Sequence, residues 1–174
     1  PSYLKSHMQL LAQNGQDSAA IEDARELLSE FPEDSLALKS LVQLLSKNQR
    51  SGEALDTLKA YHQRNPKSKF ILFTLGLQEA AMDLNHEAEQ HLNKVKNDSL
   101  YAGGAYFTLS SLALQKSDTA KAVKDLELAY KAEPDTYGSE MAWRYGISGK
   151  YDKAYPILDS LVKSEAFLDS MISV

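Results

Sequence analysis

Apolar residues recur along this chain in short runs at helical spacing, each closed by a polar or glycine-containing turn. Between Asp17 and Ser29 they stand at Ala20, Ala24, Leu27 and Leu28, a stripe along one face of a helix. A second kind of run carries paired apolar residues, as in Leu10/Leu11, Leu41/Leu44/Leu45 and Leu109/Leu112. Asn14-Gly15, Asn48 and Ser148-Gly149 mark the turns between the two kinds. The pattern predicts helix after helix, and no strand.

The runs repeat. Ala20, Ala54, Ala88 and Ala122 are 34 residues apart, and Ala154 follows after 32. Four residues beyond these lie Ala24, Leu58, Leu92, Leu126 and Leu158, and in the same register upstream lie His7, Leu41, Leu75, Leu109 and Met141. Pro32, Pro66 and Pro134 share one register, with Leu100 in the remaining place. Each period reads as two antiparallel helices. Asp17, Ser51, Asn85 and Thr119 recur at the entrance of the second and are expected to cap it, at about 1 kcal/mol each. Proline, which has no N–H to donate, is expected to stop that helix. The recurrent alanine suits a close helix crossing, where one methyl fits and a larger group forces the axes apart. Pro156, about one turn into its helix, is expected to bend that helix or delay its start. One hairpin cannot bury its own apolar face, so stacked neighbours must supply the core.

Composition narrows the class. At 174 residues with 43% apolar and 25% charged residues, the chain can bury a core, and disorder is not expected. No apolar run approaches the length of a membrane span, so no membrane insertion is expected. Zero cysteines exclude a disulfide framework, thiolate zinc and a cysteine nucleophile. A net charge of −5 gives no global attraction for polyphosphate, and no nucleic-acid partner is expected. The chain opens at Pro1 without a signal-peptide pattern, which reads as a piece of a longer protein.

Candidate catalytic motifs fail on spacing. His86 and His91 flank Glu87 as in a zincin helix, but they are five apart, about 140° round a helix, where zinc ligation needs four. Gly146-Ile147-Ser148-Gly149-Lys150 imitates part of a phosphate loop, with Arg144 in place of the first glycine and Tyr151 in place of Ser/Thr. No metal, no cofactor and no catalytic residue is expected; the chain reads as a non-enzyme.

Leu75-Gly76 followed by Ala88, and Tyr145 with Gly149-Lys150-Tyr151 and Ala154, are the stretches through which the sequence resembles the tetratricopeptide repeat (TPR) superfamily. His7 where leucine is usual, Glu79 where tyrosine is usual and the short fifth unit depart from that pattern. The resemblance implies an all-α fold: a right-handed superhelix, or α-solenoid, of about five antiparallel helix-turn-helix hairpins. The units are placed at 1–34, 35–68, 69–101, 102–134 and 135–164, forming a single array over 1–174 with an extra or capping helix at 165–174.

The resemblance also implies a concave groove lined by the first helices, and it selects the inward columns. Lys5, Gln9, Lys39 and Gln43 would form a basic, amide-rich end, and Phe70, Phe73, Leu77, Phe107, Leu114 and Trp143 an aromatic end. Lysines would attract a carboxylate, glutamines would bond an extended backbone, and aromatic pockets would bury an apolar anchor. Gly103-Gly104 would let a ligand backbone come close. The expected function is a non-catalytic protein–protein interaction scaffold binding a peptide or partner segment. A ligand-sensing regulatory module of a larger protein is the alternative. An adaptor for acidic chaperone tails is disfavoured, because Gln9, Ser40, Phe70 and Thr74 stand where the family's two-carboxylate clamp has Asn, Asn, Lys and Arg. Self-association is expected through Phe167, Leu168, Met171 and Ile172, and the expected setting is the bacterial cytoplasm or periplasm.

Overall fold

The computed structural model describes residues 2–163. Among them are ten helices and no strand: α1 (Ser2–Gln13), α2 (Asp17–Glu30), α3 (Ser35–Lys47), α4 (Ser51–Arg64), α5 (Lys69–Ala81), α6 (Asn85–Val95), α7 (Ala102–Gln115), α8 (Thr119–Ala132), α9 (Pro134–Ile147) and α10 (Tyr151–Val162). They pair in chain order as five helix-turn-helix units, an all-helical solenoid-type architecture. The stripe Phe167, Leu168, Met171 and Ile172 lies outside the described residues. The chain divides into two compact units, Pro1–Ala88 and Glu89–Val174.

In the first unit each helix from α2 to α5 packs on its predecessor, so a second helix is gripped between its own first helix and the next one. Ala20, Ala24, Leu27, Ala54 and Leu58 are wholly buried. They share one core with Met8, Leu41, Leu45, Ile71 and Leu75. Each buried leucine here removes apolar area worth about 1.5–3 kcal/mol. In the second unit α8 packs on α7, α9 on α8 and α10 on α9. Leu126, Met141, Ala142, Tyr145, Ala154, Ile157 and Leu161 form its core. The alanine column is buried throughout: Ala88 at 0%, Ala122 at 2% and Ala154 at 3% exposure.

The five hairpin turns share one device. Gly15, Gln49, Asp83, Ser117 and Gly149 all have positive φ, between 58° and 73°. In each turn the next N–H reaches back five residues: Gln16 to Leu11 O, Arg50 to Leu45 O, Leu84 to Glu79 O, Asp118 to Ala113 O and Lys150 to Tyr145 O, all at 2.8–2.9 Å. This bond across a left-handed residue is a Schellman-type helix stop. Glycine adopts that conformation without steric cost, whereas Gln49, Asp83 and Ser117 adopt it at some strain.

Three expectations need correction. Asp17, Ser51 and Thr119 are not caps: they stand one place inside their helices, behind Gln16, Arg50 and Asp118, and of these three caps only Asp118 bonds through its side chain, to the N–H of Lys121. Side-chain caps occur instead on first helices, where Asp34 accepts from Ala37 N and Ser68 from Ile71 N. Pro156 does not delay α10, which starts at Tyr151 and runs through it. Its side of the helix is exposed, so water can take the carbonyl that lacks a partner. Pro134 opens a helix, standing at the first position of α9. Only Glu133 separates α8 from α9, against four residues (31–34) between α2 and α3, and this short connection is where the fifth unit loses its two residues.

Candidate functional site

In the first unit the first-helix face carries a cavity of about 450 Å³ between α1 and α3, lined by Met8, Gln9, Ala12, Gln13, Ser40, Gln43, Leu44 and Lys47. Gln9 and Gln13 stand one turn apart on α1, and Ser40 and Gln43 three apart on α3, so helical periodicity turns each pair the same way. Among the described residues, the side chains of Gln9, Gln13, Ser40 and Gln43 make no hydrogen bond. They offer amide N–H donors and carbonyl acceptors together, the combination an extended peptide backbone also presents. Lys47 closes the rim, held by Asp17 at 2.9 Å. Hydrogen bonds from Lys47 and then Asn48 hold the Asp17 carboxyl below the usual carboxylate range.

The other sequence-selected residues of this unit are placed differently. Lys5 does not stand open to a ligand carboxylate: its ammonium sits 2.5 Å from Asp34. That bond, with the backbone N–H of Ala37, lowers the Asp34 carboxyl's pKa. Lys39 is exposed, outside the cavity lining. Phe70 packs against the unit's core and, with Pro32, Asp34 and Tyr61, lines a cavity of about 90 Å³, too small for a peptide side chain of any size. Phe73 is half-buried, and Leu77 is 36% exposed. The polar residue His7, in a leucine register, is accounted for by its contact with Asp23 at 2.6 Å and by stacking on Tyr3.

In the second unit Phe107 of α7 stacks on Tyr137 of α9, ring centres 5.0 Å apart. Burial, and after it the Glu133 carboxylate, raise the Tyr137 phenol's pKa. Gly103 serves this contact rather than a ligand. A methyl there would strike the Glu133 carboxylate and the Tyr137 ring, so the glycine makes room for the start of the next helix. Leu114 is half-buried. Trp143 is 55% exposed, with the Arg144 guanidinium 5.0 Å from its ring centre. It lines a second open trough of about 420 Å³ on α9 and α10, with Ser139, Ala142, Gly146, Ile147, Tyr151, Ala154, Tyr155 and Leu158.

The structure thus brings Gln9 and Gln43 together and sets Phe107 against Tyr137, while Lys5 and Phe70 are engaged within the fold. Sequence reasoning missed Gln13, Ser40, Tyr137, Tyr151 and Tyr155. The repeat register contained a signal for Gln13, which stands one turn beyond Gln9. For the tyrosines there was none, because their exposure depends on which helix covers α9 and α10.

The remaining buried chemistry is structural. Ser110 donates to Ala122 O at 2.7 Å, tying α7 to α8. Asp125 is 8% exposed, and one of its carboxylate oxygens has no hydrogen-bond partner. Burial raises its pKa against the pull of Lys121, Lys96 and Lys124. Among the described residues no group of three His, Cys, Asp or Glu side chains could hold a metal ion, and no helix is long and apolar enough to cross a membrane.

No family model matches the sequence, and no curated protein matches it. Solved structures do. A crystal structure of MamA is 16% identical and superposes with a TM-score of 0.67, covering 96% of this chain and 97% of that one. A MamA structure from Desulfovibrio magneticus is 13% identical with a TM-score of 0.68, covering 97% and 95%. Pseudomonas aeruginosa PilF is 19% identical with a TM-score of 0.74, covering 92% of this chain and 75% of that one. At such identities the likeness is one of backbone, and with the repeated hairpins it establishes that the chain has a TPR-type fold.

Proposed function

We propose that this chain is a non-catalytic protein-binding scaffold, a single helical-hairpin array whose first-helix faces receive an extended partner segment. The α1/α3 cavity carries the reading. Three glutamines and a serine line about 450 Å³ there without hydrogen-bonding one another or the rest of the described protein. A peptide backbone satisfies such a surface, since it alternates N–H and C=O at a pitch that amide side chains can follow. The half-covered ring of Phe107 supplies an apolar contact on the second unit, worth up to about 3 kcal/mol when fully buried. Lys5 contributes less to a ligand than its charge suggests, because Asp34 already holds it.

The test is a binding screen of the chain against a library of unstructured peptides, repeated with Gln9→Ala/Gln43→Ala. Peptides that bind should lose about tenfold or more in affinity, roughly 1.4 kcal/mol, while helix content stays constant. Binding that is indifferent to both substitutions would refute the cavity's role.

A further inference from the structure

The repeat register allows the two outer faces of the array to be compared with its internal joints. Along the second helices, Ala24, Leu58 and Leu92 are 0% exposed and Leu126 is 1% exposed; the next member of the column, Leu158 on α10, is 37% exposed. In a neighbouring column Ile21 and Leu55 are 2% and 6% exposed, and Tyr155 is 67% exposed. α10 keeps its own hairpin partner α9. What it lacks, and α2, α4 and α8 have, is a following first helix.

The first described hairpin shows the converse. Leu44, Gln78 and Leu112 are 7%, 7% and 1% exposed, whereas Leu10, in their column on α1, is 55% exposed. Ala37, Ile71 and Ala105 are 0%, 4% and 0% exposed, whereas Tyr3 is 74% exposed. α1 keeps α2, so the cover missing from it is a preceding second helix. The two bare faces are the two halves of one joint, the joint that α2 makes with α3 and α8 with α9. Hairpin arrays that end in water carry polar residues on the outer face. Here Trp143, Ile147, Tyr151, Tyr155 and Leu158 line an open, mainly apolar trough instead.

We propose that the chain binds a second copy of itself head to tail, with α1 of one copy lying on α10 of the other as α3 lies on α2. A second copy is the occupant because it alone brings a helix whose uncovered columns are already those of the internal joints, so the contact continues an interface the chain makes repeatedly. The two patches differ, so the contact is heterologous and directional, and it can extend beyond a pair. This inference is independent of the peptide-binding reading.

Sedimentation equilibrium of the whole chain tests it. The weight-average mass should rise from 19.3 kDa as concentration is raised from low micromolar towards millimolar. Leu10→Glu and Tyr155→Glu each spoil one patch at a residue more than half exposed, so the fold should persist, and circular dichroism checks that it does. Each variant alone should stay monomeric. An equimolar mixture should form a pair of about twice 19.3 kDa that grows no further, because each partner contributes its one intact face. Tyr3→Glu and Val162→Glu provide a second such pair should either first variant unfold. Wild-type chain that remains monomeric at every concentration overturns the proposal. So does loss of association with only one of the two substitutions, which means like faces pairing, and so does a mixture that stays monomeric.

Discussion

Tyr145 offers the sharpest check on how the second unit is held together. Its ring is 8% exposed within the core of Leu126, Met141, Ala154, Ile157 and Leu161, and its hydroxyl donates to Glu127 Oε1 at 2.5 Å. Burial first, and then this bond to a carboxylate, push the phenol's pKa from 10 up to about 12. A hydrogen bond to a charged acceptor contributes about 1.5–3 kcal/mol. Solvent reaches the carboxylate side, so about 1–2 kcal/mol is the expected loss on Tyr145→Phe at pH 7. The pH dependence separates this bond from ring packing, which Phe preserves. Below about pH 10 both folded and unfolded chains keep the proton, and the whole contribution is present. Between 10 and 12 the unfolded chain ionises first, so the wild-type advantage falls, to roughly half by about pH 11. Urea unfolding followed by circular dichroism, wild type against Tyr145→Phe at neutral pH and again between about pH 9 and pH 11, measures both quantities. Equal stabilities at pH 7, or a difference that does not shrink as pH rises, would refute the reasoning.

Other perturbations follow from the same geometry. Ser117→Gly should raise stability by about 0.5–1 kcal/mol in urea unfolding, because φ of 60° costs serine what it does not cost glycine. Gly103→Ala should lower it by about 1–2 kcal/mol, since the clash with the Tyr137 ring at 2.9 Å outweighs a helix-propensity gain of about 1 kcal/mol. Asp125→Asn should stabilise the chain by about 1 kcal/mol at neutral pH, by removing a charge that burial disfavours. The folded pKa is raised, so the wild type loses stability as pH climbs past the ordinary value of 3.8. The benefit of Asn should therefore vanish by about pH 3, and a gain unchanged at that pH would refute the assignment.

Much of the fold was legible because it is written five times. A buried alanine every 34 residues, closed by a proline, allows few arrangements other than close helix crossings, and the second helices begin at the column the sequence marks. The caps were misread by one place, since a polar residue at a helix entrance looks the same in sequence whether it stands at the cap or just inside. The positive-φ column escaped notice at Gln49, Asp83 and Ser117, because those side chains do not announce that conformation as glycine does.

The functional surface was legible only in part. Phe70 and Phe107 looked equivalent in the repeat, yet one is packed on a core and the other stacks at the surface. Lys5 and Lys39 occupy one column, yet only Lys5 faces Asp34 across the α1/α3 joint. Periodicity along a chain is a local property and fixes which face of a helix is apolar, and so the hairpins and their order. Whether a given side chain is covered, paired or left open depends on a neighbour some thirty residues away, and that is decided only when the helices pack.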